Sequence, residues 1–110
     1  MNKVNFGTAI EAVKEGKLIA REGWNGKGMF VFQRPEVELD RSMIIEQVQS
    51  LPKAVKNYYK HQEDHDFTTP VVCLVKFSAY LCMKTADGTI VNGWLASQTD
   101  ILAEDWLILD

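Results

Sequence analysis

The sequence predicts an α+β domain spanning residues 1–110. It would combine a small antiparallel β-sheet, an N-terminal helix and a helical insertion, at about residues 34–77, between two hairpins. Three observations lead there. Two β-type stretches, 17–33 and 80–91, each carry a Gly-bearing turn signal, Asn25-Gly26 and Asp87-Gly88. Between them, apolar residues recur at three- and four-residue steps from Ser42 to Gln62. The order helix, hairpin, helical insertion, hairpin, short helix, strand is that of an antiparallel sheet covered by helices.

The elements follow in order. Thr8 and Glu11 have the spacing of a capping box, with Ile10, Val13 and the Lys14 stem on one side of the helix. Gly16 is placed to end it as a C′ residue. Lys17 to Arg21 reads as a short strand, Glu22-Gly23 as a turn. Gly23, Gly26 and Gly28 crowd the next segment, so a tight turn or a close approach to the backbone must require them. Met29 to Gln33 returns as a strand, with Phe30 and Phe32 on one face and Met29 and Val31 on the other. In the insertion, Ile44, Val48, Leu51, Val55 and Tyr58 form one apolar stripe. Pro52 divides it into two helical pieces and stands in the first turn of the second. Residues 61–66 form a polar connection. The apolar run from Val71 to Val75 is too short to assign by period. Tyr80 to Thr85 enters the second hairpin, and Thr89, Ile90 and Val91 leave it. Asn92-Gly93 breaks that strand. Ser97 and Asp100 then pair as N-cap and N3, starting a short helix through Ile101 and Leu102. Asp105 to Leu109 reads as a buried terminal strand.

Composition sets bounds on function. Apolar residues make up 46% and charged residues 25% of the chain, as in ordinary globular proteins. The net charge of −3, with no basic stripe, argues against a nucleic-acid polymer as partner. No apolar run is long enough to span a membrane, and the N-terminus lacks a signal-peptide core. Cys73 and Cys82 lie in apolar stretches and are expected as free core thiols of a reducing compartment.

Several residues carry chemistry. Trp106, inside an apolar strand, is read as core. Trp24 and Trp94 each stand beside Asn and Gly in a turn. There an indole serves either as structural packing or as a platform for a planar base. Asp87 belongs to its turn. Lys27 is either a solvated charge or a phosphate contact, and capping explains Ser97, Gln98, Thr99 and Asp100 unless Trp94 brings a ligand there. His61 and His65 have a four-residue spacing that could hold a metal, but the segment lacks the His-Glu-x-x-His order and a solvated turn explains it. No metal and no cofactor is expected. Neither cysteine has the basic neighbours of a nucleophile.

Four runs add a resemblance. Phe6-Gly7-x-Ala9-x-Glu11-Ala12, Arg21 to Phe30, Met83 to Val91 and Trp94 to Trp106 together resemble the second family of Thoeris anti-defence proteins, small phage and prophage sponges. The runs lie at the two ends of the chain, and the middle is read as an enlarged variable loop. The resemblance implies a binding protein and not an enzyme. Its ligand would be a cyclic ADP-ribose isomer made by a TIR-domain enzyme, sequestered intact in the bacterial host cytoplasm by a homotetramer. Some members also take cyclic dinucleotides at a separate site. Matching that ligand to residue chemistry selects Arg21, Trp24, Asn25, Lys27, Trp94, Ser97, Thr99 and Asp100. The competing readings are a protein-interaction module using the 42–62 stripe and a nucleotide phosphodiesterase using the histidine segment.

Overall fold

The computed structural model describes residues 2–61 and 74–110, and of Asn25 the backbone alone. In chain order the elements are α1 (Phe6–Lys14), β1 (Leu18–Arg21), α2 (Glu22–Asn25), β2 (Phe30–Arg34), β3 (Val37–Asp40), α3 (Arg41–Glu46), α4 (Lys53–Lys60), β4 (Leu74–Phe77), β5 (Tyr80–Lys84), β6 (Ile90–Asn92), α5 (Gln98–Leu102) and β7 (Trp106–Leu109). The α+β expectation holds: the strands form two antiparallel sheets. The chain divides into two compact units, one of Met1–Pro35 with Ala79–Asp110 and one of Glu36–Ser78.

The first unit holds a five-stranded sheet in the order β6-β5-β2-β1-β7. One row of paired residues, Ile108, Ile19, Val31, Met83 and Val91, crosses every strand on one face. Ala9, Ala12 and Val13 of α1 pack into the same cluster as Ile19, Val31, Met83 and Trp106. The small alanines let the helix approach the sheet closely. Lys14, expected on the packing side, is exposed. The helix cap also differs from the expected one: the Asn5 side chain, not Thr8, is the N-cap and accepts from the Thr8 N–H at 2.8 Å. Asn5 precedes the aromatic Phe6, so starting the helix there carries Phe6 onto Trp106, ring centroids 5.4 Å apart. At the other end Gly16, at φ 95°, closes a Schellman motif. Its N–H bonds the Val13 carbonyl, and the Lys17 N–H bonds that of Ala12.

The Asp87-Gly88 turn forms as expected. The Asp87 carboxylate accepts from the Thr85 hydroxyl and from the Thr89 N–H. These bonds, the Thr85 hydroxyl's foremost, hold its pKa down at about 2. Two local readings change. Glu22-Gly23 is not a simple turn but opens the one-turn helix α2, and Asn92 belongs to β6, the break falling on Gly93 at φ 77°.

The second unit leaves the sheet after the Arg34↔Tyr80 rung of β2 and β5, where a hairpin turn would otherwise stand. It contains α3, α4 and the two-stranded sheet β3-β4, paired from Val37↔Phe77 to Asp40↔Leu74. The β3 strand lies where none was predicted. Asp40 caps α3 through the Ser42 N–H at 2.9 Å. Pro52 is the N-cap of α4, at ψ 149°, one residue before the predicted first turn. Ile44 is buried, and Val48, Leu51 and Val55 are half-buried, but Tyr58 is exposed and Tyr59 takes its place. Residues 62–73, including Cys73, His65 and most of the 71–75 run, lie outside the described residues.

Candidate ligand-binding site

Four aromatic rings come together at one end of the first unit. Trp106 begins β7, fully buried, and is the hub. Phe6 and Trp24 each lie 5.4 Å from it and Trp94 lies 6.3 Å away. Trp24 and Trp94 meet edge to face, centroids 6.1 Å apart at 89°. Such edge contacts use the positive ring rim against the negative face and fix ring orientation. The expectation for Trp106 as core therefore holds. Trp24 and Trp94 are packed against that core yet half-buried, so each keeps part of its indole at the surface.

Backbone bonds deliver the two outer indoles. The Glu22 N–H bonds the Asp105 carbonyl at 3.0 Å, pinning the start of α2 beside β7 and so placing Trp24. Trp94 follows Gly93, and its N–H bonds the Leu81 carbonyl at 2.8 Å.

Beside the rings runs a polar network. Ser97 and Asp100 form the predicted capping box: the Asp100 N–H bonds Ser97 Oγ at 3.1 Å, and the Ser97 N–H bonds Asp100 Oδ2 at 3.0 Å. Trp106 Nε1–H donates to the Asp100 carbonyl at 2.8 Å. Arg21 reaches the other Asp100 oxygen, Oδ1, at 3.1 Å and straddles Asp105, with Nε 2.9 Å from Oδ1 and Nη2 3.5 Å from Oδ2. The Asp105 hydrogen bond is the main reason the Arg21 pKa is raised; desolvation opposes it, and Asp100 adds to it. For Asp100, desolvation pushes the carboxyl up. It is outweighed by the Ser97 N–H and hydroxyl and by Arg21, so the pKa is lowered. The box and the guanidinium thus lock α5 to β1 and β7.

The structure brings Arg21, Trp24, Trp94, Ser97 and Asp100 into one connected cluster. Thr99 is an exposed residue of α5, and Lys27 is an exposed residue whose N–H closes α2 on the Trp24 carbonyl. The Asn25 side chain lies outside the description. Sequence reasoning missed two participants. Asp105 holds Arg21 more closely than Asp100 does, and only its charge at the head of an apolar strand could have flagged it. Lys84 donates to the Gly28 carbonyl at 2.8 Å, and the positive φ of 69° at Gly28 explains the glycine there.

A separate open pocket of about 370 Å³ lies between α1 and the ends of β2 and β5, lined by Ile10, Val13, Lys14, Gln33, Tyr80 and Leu81 among others, and by none of the eight candidates. Cys82 is buried and free, its Sγ 3.4 Å from the Asn92 side-chain oxygen. His61 Nδ1 lies 2.8 Å from the Asn57 carbonyl; the rest of the histidine-acid segment lies outside the described residues. Among the described residues no helix is long and apolar enough to cross a membrane.

The sequence matches the Thoeris anti-defense 2-like domain family over residues 4–109. The chain belongs to that family. It is 34% identical over 107 residues to Thoeris anti-defense 2 of Bacillus phage SP01, covering 97% of this chain and 96% of the relative. The Thoeris anti-defense 2-like match spans the middle segment too, so the Glu36–Ser78 unit lies inside the family domain.

Proposed function

We propose that the protein disarms Thoeris defence by binding and sequestering, without cleaving, a cyclic ADP-ribose isomer made by a TIR-domain enzyme in the host cytoplasm. The observation that carries this reading is the half-buried Trp24–Trp94 pair seated beside the Arg21–Asp100–Ser97 network, in a chain of the Thoeris anti-defense 2-like family. Each part of such a ligand has a suitable group. The purine stacks on an indole, Trp24 or Trp94, whose orientation the edge contacts already fix. Ribose hydroxyls pair with Thr99, Asn25 and the ionised Asp100, an acceptor. The pyrophosphate is met by exposed Lys27. Arg21, with three of its five N–H donors engaged by Asp100 and Asp105, has donors left for it as well.

Sequestration needs affinity, not turnover. Nanomolar binding corresponds to about 12 kcal/mol. A cleft closed between subunits of a homotetramer supplies that more readily than one open surface, because it removes more of the ligand from water. Cyclic dinucleotides, which share the purine, ribose and phosphate groups, are the second ligand class proposed.

The test is incubation of the protein with the TIR-derived cyclic ADP-ribose isomer, then filtration, heating and mass spectrometry. Depletion from the filtrate with intact recovery after heating is the expected result, and Trp24→Ala is expected to weaken binding at least tenfold. Wild-type affinity in Trp24→Ala would remove the central assignment. Recovery of a product of altered mass would replace sequestration by hydrolysis. A free ligand together with a stoichiometric host protein on pull-down would support an interaction module.

A further inference from the structure

Asp105 grips the chain twice at one place. Its carbonyl accepts from the Glu22 N–H at 3.0 Å, and its carboxylate takes the Arg21 guanidinium side-on, Nε 2.9 Å from Oδ1 and Nη2 3.5 Å from Oδ2. The next residue, Trp106, pairs with Arg21 across β1 and β7 and with Val4 on its other side, N–H to carbonyl at 3.1 Å and back at 2.8 Å. The backbone beside Asp105 is therefore held from both sides. Asp100 takes a third Arg21 donor, Nη1 to Oδ1 at 3.1 Å, while its own Oδ2 is occupied by the Ser97 N–H.

Tying α5 to β1 needs one carboxylate, and Asp100 supplies it. Asp105 adds direction. A guanidinium held by one bond can turn on its long stem, whereas one held at Nε and Nη2 as well has its plane fixed. With three N–H groups engaged by the two carboxylates, one N–H is left on each terminal nitrogen, Nη1 and Nη2. Two donors on neighbouring nitrogens of one plane suit two oxygens of a phosphate. The Arg21 side chain keeps 23% of its surface exposed, against 14% for Asp100, so part of it still faces solvent. Charge alone does not account for the arrangement, because two carboxylates around one guanidinium leave a negative charge over.

We propose that Asp105 is a positioning residue of the ligand site: it presets Arg21 so that the remaining Nη1 and Nη2 N–H groups take two oxygens of a phosphate group. The proposal rests on the nucleotide reading above for the identity of the ligand, and on the clamp for its geometry. Fixing the fork beforehand removes the ordering of a long side chain from the binding step, worth about fivefold in affinity. Direction and charge make opposite predictions for Asp105→Asn. The amide keeps an oxygen for Nε but offers Nη2 no second acceptor, and the backbone carbonyl still holds Glu22. Charge alone would make that variant bind an anion more tightly. Loss of direction makes it bind more weakly.

The experiment has two readouts: affinity for the TIR-derived cyclic ADP-ribose isomer, and NMR of the Arg21 guanidinium nitrogens on adding inorganic pyrophosphate. Asp105→Asn is expected to weaken isomer binding about fivefold with an unchanged circular dichroism spectrum, and Asp105→Glu, which keeps both oxygens, to lose less. In an Arg21→Gln background Asp105→Asn should add no further loss, whereas a purely structural role would give the same loss in both backgrounds. Pyrophosphate should shift the Arg21 resonances of the wild type, a measurement that needs no variant, and shift them far less in Asp105→Asn. Undiminished binding by a folded Asp105→Asn, an equal loss in the Arg21→Gln background, or wild-type Arg21 resonances that ignore pyrophosphate would each overturn the proposal. A wild type that leaves the isomer free, while pyrophosphate still moves Arg21 in an Asp105-dependent way, would remove the isomer as ligand and uphold the fork as an anion site.

Discussion

The two units of this chain use their side chains in opposite ways. In the unit of Met1–Pro35 and Ala79–Asp110, buried apolar residues from α1 and the sheet form one cluster around Trp106. In the Glu36–Ser78 unit, Ile44 is the one fully buried apolar side chain among the described residues, α4 buries none, and Val37, Met43, Tyr58 and Leu74 are exposed. All eight ligand candidates fall in the first unit. A site that must hold a small ligand gains from side chains locked by packing and by a second layer of hydrogen bonds, and only the first unit offers both to the candidates.

The largest effect is expected at the hub. Trp106→Ala removes the ring that Phe6, Trp24 and Trp94 pack against and leaves the Asp100 carbonyl without its indole donor. Truncating a fully buried aromatic costs about 3–5 kcal/mol, which urea unfolding would measure. A loss under about 1 kcal/mol would mean that the cluster can repack, and the contrast between the units would weaken.

Next comes the guanidinium. Arg21, Asp100 and Asp105 side chains are 23%, 14% and 32% exposed, so none is freely solvated. Arg21→Ala leaves two partly buried carboxylates facing each other without a cation, at a cost of about 2 kcal/mol. Arg21→Lys keeps the charge but not the fork, and should fall between. Denaturant titrations of the three proteins at neutral pH decide the order.

The same network has a pH signature. Asp100 is lowered in the folded state, so its stabilising contribution is full above the ordinary carboxyl value of 3.8. It is lost as the pH falls through the lowered folded value, because the unfolded chain takes up the proton first. The stability gap between wild type and Asp100→Asn is therefore expected to be constant near neutrality and to narrow as the pH falls below about 4. A gap that widens in acid would mean that desolvation outweighs the Ser97 and Arg21 bonds.

What was legible in the sequence was local. Ser97 and Asp100 are three residues apart, and their box follows from helix geometry alone. Asp87-Gly88 needs only its own side-chain oxygen and a positive φ. The continuous apolar run from Trp106 to Leu109 declares a strand. What was illegible was set at a distance. Arg21 finds its carboxylates 79 and 84 residues away, so its partners appear only once β1 and β7 pair. The β3 strand, Val37–Asp40, alternates with acids and lacks β-branched residues beyond Val37; it exists because Leu74–Phe77 pairs with it. For α1, Asn5 and Thr8 are both acceptable caps, and the packing of Phe6 on Trp106 selects the former. The insertion shows a third kind of error. The two helical pieces expected on either side of Pro52 are shorter than the stripe: α3 ends at Glu46 and α4 begins at Lys53, so Val48 and Leu51 lie in neither helix, the phase is lost over residues 47–52, and the half-buried position is Tyr59 and not Tyr58.

That loss of phase gives the smallest expected effect. Tyr58 is 64% exposed and contacts Tyr59 edge to face, centroids 5.1 Å apart. Tyr58→Ser removes one exposed ring contact from a helix with no buried side chain, so stability should change by no more than about 0.5 kcal/mol. Tyr59→Ser, one residue on and half-buried, should cost more. Equal and small losses would mean that neither tyrosine anchors the Glu36–Ser78 unit. A large loss at Tyr58 would return that residue to the apolar stripe and weaken the difference in side-chain use between the two units.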